Sequence, residues 1–270
     1  MLDTLLHRYF KIPYRLHVHT DRRVKKASAT VLFLHGMGTS SSAWDGIIDK
    51  LPDDVRVISI DLLGFGKSPS PRWLKYSTDV QAKAVIATLL RLKIRRKLIV
   101  VGHSMGALVA VEVAKRYPFI VKSLLLCSPP FYSDLQKRTL LPTQTALLKR
   151  FYALAQKYPK NIVGMTPLAT KLKIIGKSFN VTSDNVDIYM AALQASVLNQ
   201  NGYDDVSRIR KPTHILYGSL DPIIVKKNLE SIAKRNEYVS VSSVVTGHEL
   251  IGRYLPAVAR AVVAFIPGKK

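Results

Sequence analysis

Short apolar stretches of strand length punctuate the chain, and stretches of helical period lie between them. Tyr14 to Thr20 alternates apolar with polar residues, the period of a strand with one face in water. Thr30-Val31-Leu32-Phe33-Leu34 is a continuous apolar run, as in a strand covered on both faces, and Val55 to Ile60, Leu98 to Val101 and Ile120 to Cys127 continue the series. Thr213 to Tyr217 and Tyr238 to Val245 return to strand periodicity. Tyr76 to Leu92 reads as an amphipathic helix with Val80, Ala84, Ala87 and Leu90 among its apolar positions, and Ala107, Val109, Ala110, Val113 and Ala114 mark another. Ile251 to Phe265 reads as a closing helix, and Thr39-Ser40-Ser41-Ser42 offers capping hydroxyls for a helix near Ala43 and Trp44. The alternation predicts an α/β core.

Ser128-Pro129-Pro130 breaks that alternation. From about Phe131 to about Ile209 helical patterns recur, Ala146 to Ala155 and Val186 to Leu198 among them, with no convincing buried strand. An insertion of this length in an α/β core predicts a lid or cap. Residues 1–130 and 210–270 are therefore assigned to the core and 131–209 to a helical cap. Phe131, Tyr132, Phe151, Tyr152, Met165, Phe179, Tyr189 and Met190 either hold that cap together or line an acyl pocket.

Composition sharpens the picture in three places. At 270 residues and 47% hydrophobic content the chain has ample material for one large α/β domain or two small ones. Its formal charge of +23 is spread over small groups such as Arg22-Arg23, Lys25-Lys26 and Lys226-Lys227, with no nucleic-acid module around them, so it reads as solvated faces rather than a specific nucleic-acid site. Such a field draws anionic substrates and weakens with salt. The single Cys127 lies in an apolar run and reads as a buried structural thiol; one cysteine excludes an intrachain disulfide and a cysteine-rich metal site. No signal peptide and no membrane span are legible, which makes the cytoplasm the expected location.

The chemistry centres on Gly102-His103-Ser104-Met105-Gly106, set between an apolar strand and a helix. Strand, sharp turn and helix lift a serine to the tip of a sheet, and flanking glycines allow neighbouring backbone to pack closely. His35-Gly36-Met37-Gly38 follows an early strand, where a loop can aim a backbone N–H at a developing oxyanion. Downstream, Asp221 stands just beyond a strand end and His248 sits in the loop Thr246-Gly247-His248-Glu249. Serine, acid and histidine thus come in the chain order that this arrangement requires. Serine needs a base, histidine titrates near neutrality, and a carboxylate sets the imidazole tautomer. Asp61 precedes the serine and reads as a structural carboxylate bonding loop amides; Gly64-Phe65-Gly66 is a weak match to a phosphate loop. His17 and His19 share a strand face but lack a third ligand nearby, so they read as solvent-facing residues rather than a metal pair.

With Asp61-Leu62-Leu63-Gly64-Phe65-Gly66-Lys67-Ser68 and Gly218-Ser219-Leu220-Asp221 added to these motifs, the chain resembles the α/β-hydrolase superfamily over nearly its whole length, especially the esterases and their carbon–carbon bond hydrolase relatives. The resemblance implies a mostly parallel central sheet flanked by helices, a helical cap after the sixth core strand, and no cofactor. It implies Ser104 as nucleophile, His248 as base, Asp221 as acid, and the N–H groups of Met37 and Met105 as the oxyanion hole. Ala107 departs from the glycine many relatives carry there. The expected activity is hydrolysis of a small-molecule acyl ester or lactone through an acyl-enzyme. Cleavage of carbon–carbon bonds in vinylogous diketones, and a non-enzymatic ligand receptor on the same fold, are the alternatives.

Overall fold

The computed structural model describes residues 5–95, 97–133, 157, 181–182 and 184–269. Its strands are β1 (Val18–Arg22), β2 (Ala29–Leu34), β3 (Val55–Ile60), β4 (Leu98–His103), β5 (Val121–Cys127), β6 (Thr213–Gly218) and β7 (Val239–Val244). They form one seven-stranded sheet in the order β1-β3-β2-β4-β5-β6-β7. Only β1 runs antiparallel, against β3, with Val18 opposite Ile60; the other pairings are parallel. A parallel sheet needs cover on both faces, which is why its strands read as near-continuous apolar runs.

Successive residues in the central strands divide between two cores. Leu32, Leu34, Ile58, Ile60, Val100 and Leu126 meet α2 (Thr78–Arg91) and α3 (Met105–Arg116) on one side. Val31, Phe33, Val57, Ile99, Val101 and Cys127 meet Trp44, Ile47 of α1 (Asp45–Ile48) and the closing helix Tyr254–Ala264 on the other. Each such aliphatic side chain contributes roughly 1.5–3 kcal/mol when fully buried. Cys127 is fully buried, and burial pushes its thiol pKa up, as expected of a structural cysteine.

Between β5 and β6 the described elements are helical: α4 (Val186–Ala192), a π-helical turn Leu193–Leu198 and α5 (Gly202–Val206). Phe131 and Tyr132 are fully buried and join the core cluster. The segment Ala146 to Ala155, together with Met165, Phe179 and Asp134, lies outside the described residues. Among the described residues, five strands precede this segment and two follow it.

Several local expectations shift. The alternation at Tyr14 to Thr20 buries Tyr14 and Leu16 as expected, but strand pairing begins only at Val18. The reason is that the Leu16 and His17 N–H groups donate to the hydroxyls of Thr88 and Ser68 at 2.9 and 2.8 Å instead of to a neighbouring strand. The serine run does not cap a helix: Ser40 opens a 3-10 turn, Ser41–Trp44, with no side-chain cap bond. Ser41 instead bonds Asp61, and the Thr39 hydroxyl donates to the Gly36 carbonyl at 3.0 Å. Leu90 is half exposed at 50%. A helix at α6 (Lys226–Arg235) was not legible, because charged residues dilute its apolar stripe to Leu229 and Ile232.

Thr88 carries the junction of β1 and α2: it accepts from Leu16 N–H and donates to the Ala84 carbonyl at 2.8 Å from a buried position. Thr88→Val should cost about 1–3 kcal/mol in urea unfolding, because it strands a buried N–H without changing side-chain size.

Candidate active site

Strand β4 ends at His103 and helix α3 starts at Met105, so Ser104 alone turns the chain, with φ 51° and ψ −117°. Such backbone costs on the order of 1–3 kcal/mol for a residue with a side chain, and persists where the surroundings over-determine it. Here the Ser104 N–H donates to the Cys127 carbonyl at 2.9 Å and its C=O accepts from Ala107 N–H at 3.0 Å. A methyl on Gly106 would collide with the Leu34 carbonyl, and one on Gly102 with the Gly106 carbonyl. The flanking glycines therefore answer to close backbone contact, as the sequence indicates.

The structure brings Ser104, Asp221 and His248 together. His248 Nδ1 lies 2.6 Å from Asp221 Oδ2 and its Nε2 lies 3.0 Å from Ser104 Oγ. Burial pushes the Asp221 carboxyl up, but the hydrogen bond and charge of His248, with donors from Ile223 N–H and Ser128, outweigh it and leave the pKa below the ordinary carboxylate value. The acid is thus an acceptor, so Nδ1 carries the imidazole proton and Nε2 is free to accept from the serine hydroxyl. The Asp221 side chain is fully buried and that of His248 is 13% exposed.

Each loop is tied down from behind. Ile223 N–H donates to Asp221 Oδ1 at 2.8 Å, and the Ile223 carbonyl accepts from the Tyr132 hydroxyl at 2.9 Å. At Gly218, the last residue of β6, a methyl would strike the carbonyl oxygens of Thr246 and Gly247, so the acid strand and the histidine loop are in backbone contact. His103 holds the histidine loop from below: its Nε2–H donates to the His248 carbonyl at 2.8 Å, with the two rings 5.0 Å apart. Nothing in the spacing assigned His103 this role, and a histidine inside the elbow is the only trace of it in the sequence.

The second glycine loop lies against the elbow. A methyl on Gly36 would approach His103 Nδ1 to 2.8 Å and Ser104 Cβ to 3.3 Å, which places the residue before Met37 beside the serine. Met105 opens α3, whose first-turn N–H groups have no intrahelical acceptor. His35, fully buried, spans two loops: Nδ1–H donates to the Gly36 carbonyl at 2.7 Å and Nε2 accepts from Leu62 N–H at 2.9 Å. Burial lowers its pKa and keeps it neutral.

Asp61 sits apart from this cluster as a loop organiser. It accepts from Ser41 and Lys67 N–H groups at 2.8 Å each and from the Ser41 hydroxyl. Burial raises its pKa, but these donors outweigh that effect and hold it low. His19 faces Asp45 at 3.1 Å, and among the described residues no three His, Cys, Asp or Glu side chains gather as a metal site. Among the described residues, no helix is long and apolar enough to cross a membrane.

A family model of the alpha/beta hydrolase fold matches residues 29–249. The chain belongs to that family. Among curated relatives, it is 36% identical over 111 residues to the probable lysophospholipase BODYGUARD 4 of Arabidopsis thaliana and 35% identical over 115 residues to the probable lysophospholipase BODYGUARD 5. Each match takes in 40% of this chain but only 27% and 26% of those longer proteins. Among solved structures, a thermophilic esterase from Thermogutta terrifontis superposes with a TM-score of 0.71 at 20% identity, covering 93% of this chain and 94% of that one. The enol-lactonase from Burkholderia xenovorans LB400 gives 0.70 at 19%, covering 93% and 95%. At these identities the superpositions speak for the fold, including its mostly parallel sheet and flanking helices.

Burial, and then the neighbouring His248, hold the His103 imidazole down to about 3 against an ordinary 6.5. The unfolded chain therefore takes up a proton that the folded chain refuses, and stability present above 6.5 is lost as pH falls towards about 3. His35, Asp221 and Asp61 are shifted in the same direction and add acid sensitivity of the same sign. Urea unfolding across this pH window should show His103→Gln with a slope shallower by up to about one proton than the unmodified chain.

Proposed function

We propose that this alpha/beta hydrolase cleaves carboxylic esters of small molecules, lactones included, through an acyl-enzyme. The observation that carries the reading is the unbroken hydrogen-bonded line from Asp221 through His248 to Ser104. Ser104 Oγ attacks the acyl carbon while His248 Nε2 takes its proton, and Asp221 stabilises the imidazolium. The tetrahedral oxyanion is held by the Met37 and Met105 N–H groups, each donor being worth about 3–4 kcal/mol to the transition state. Collapse expels the alcohol, which leaves with the proton from His248. Water then gives a proton to His248 and attacks the acyl carbon, and the acid departs as the proton returns to Ser104 Oγ.

His35 and His103 are positioning residues in this scheme, one for the oxyanion loop and the other for the base. Residues 131–209 act as the cap. Its described part borders a cleft of about 470 Å3, where Thr39, Ser40, Ser42 and Phe65 from the core face Asn185, Ile188 and Tyr189. Phe65 links that cleft to the oxyanion loop, packing edge-on against His35 at 5.7 Å and Tyr189 at 5.1 Å between centroids. The names of the esterase, enol-lactonase and probable lysophospholipase relatives lean towards the same bond class.

Ser104→Ala should lower turnover of short nitrophenyl esters by at least about 10³-fold, and Asp221→Asn by about 10⁴-fold through the wrong imidazole tautomer, each measured below the variant's own melting transition. Full activity in Ser104→Ala would refute the assignment. A silent Asp221→Asn beside a crippling Asp134→Asn would move the acid to the segment after β5. Turnover of a dienoic diketone well above that of any ester or lactone would transfer the reading to carbon–carbon cleavage.

A further inference from the structure

The segment ahead of β1 has no part in this chemistry, yet it is held in a defined shape. Phe10 N–H closes on the Leu5 carbonyl at 3.2 Å and Ile12 N–H on the Leu6 carbonyl at 3.1 Å. His7 pins the turn: its ring stacks on Tyr14 with centroids 3.6 Å apart, and its Nδ1 lies 2.6 Å from the Ile12 carbonyl oxygen. The result is an outward display of apolar side chains. Tyr9 is 70% exposed, Phe10 66%, Ile12 47% and Leu5 45%. Ordinary soluble surfaces scatter such residues singly, whereas here they fall within residues 5–12. A hollow of about 270 Å3 extends this surface from Ile12 and Tyr14 to Trp73 and Leu74.

The exposed charges on this segment and on the adjoining loop are cations, the nearest described carboxylate being Asp79, which pairs with Lys83 at the edge of the hollow. Arg8, Lys11 and Arg15 are exposed on the same segment, and Arg72 and Lys75 on the adjoining loop. Among the described residues none of these cations forms an ion pair. Neither residues 5–20 nor residues 62–78 include an aspartate or glutamate. Topology then fixes where the patch lies. Because β1 runs antiparallel with Val18 opposite Ile60, the residues before it emerge where the parallel strands finish, the end of the sheet that carries Ser104, Asp221 and His248.

We propose that residues 5–15 and the loop 71–75 form a docking surface for an anionic lipid bilayer, with the Ser104 end of the sheet turned towards it. Cations meet acidic headgroups while Tyr9, Phe10, Leu5 and Ile12 enter the boundary with the acyl chains. A nucleic acid would match the charge but would leave the aliphatic side chains in water. Docking is independent of the hydrolytic reading, since it concerns binding alone.

Flotation of the full chain with phosphatidylcholine vesicles, with and without phosphatidylserine, tests the proposal. Binding should require phosphatidylserine and fall at least about tenfold in 1 M salt, where the Debye length shrinks to about 3 Å. The double variants Tyr9→Ser with Phe10→Ser and Arg8→Glu with Lys11→Glu should each weaken it by at least about tenfold. Lys234→Glu with Arg235→Glu makes the same charge change at the end of α6, ahead of the start of β7 on the other edge of the sheet from β1, and should stay within about threefold of the unmodified chain. Thermal melts and ester turnover report on the fold of each variant. Absence of binding to phosphatidylserine vesicles, equal binding without that lipid, or equal loss in the two charge-reversed variants would overturn the proposal. So would undiminished binding by the Tyr9 and Phe10 variant, or retention of a polyuridine strand by a chain that ignores vesicles.

Discussion

The contact on which the rest of the site depends is the 2.6 Å hydrogen bond between His248 Nδ1 and Asp221 Oδ2. A carboxylate with no solvent exposure is tolerated only where donors replace lost water, and removing one of them leaves a charge buried and uncompensated. The fold supplies these donors from three directions: the imidazole from the loop after β7, the Ile223 N–H from the acid's own turn, and Ser128 from the end of β5. Tyr254 extends the arrangement into the second core, its hydroxyl 2.9 Å from Ser128 Oγ and 2.7 Å from the Leu216 carbonyl. Packing of the closing helix and orientation of the imidazole are thereby parts of one polar network.

The two buried histidines in this network illustrate how the same residue type serves opposite ends. His35 and His103 each join a glycine-containing loop to a neighbouring loop, His35 by accepting from Leu62 N–H and His103 by donating to the His248 carbonyl, and burial keeps both neutral. Neutrality matters because His103 lies 5.0 Å from His248, where a permanent positive charge would oppose a second one on the His248 ring. Asp61 and Asp221 form a similar contrast. Both terminate strand-to-loop segments and both have depressed pKa values, but three donors from the serine and lysine loops saturate Asp61, whereas Asp221 turns one oxygen to an imidazole.

Much of this was legible in the residues. Buried parallel strands announce themselves as runs such as Val31 to Leu34, and the elbow motif carries its own strand and helix, so both the sheet and the position of Ser104 followed from local pattern. Asp221 and His248 were legible through order and loop chemistry. What stayed hidden depends on partners distant in the chain. Leu16 and His17 alternate like a strand, yet hydroxyls from Thr88 and Ser68 take their N–H groups. The serines after Gly38 look like helix caps until Asp61, some twenty residues on, takes Ser41. Helix α6 leaves little trace in the sequence because Lys226, Lys227, Lys234 and Arg235 mask the short stripe it buries.

One consequence concerns timing during synthesis. Ser104 and His248 stand 144 residues apart, the elbow completed by early strands and the imidazole delivered on the loop after β7. At ordinary elongation rates of about 5–20 residues per second, the serine leaves the ribosome on the order of ten seconds before its imidazole. A nascent chain thus displays the Ser104 hydroxyl on a half-built sheet with no imidazole beside it, and the contact between them forms as a late event of translation rather than as a property of the elbow alone.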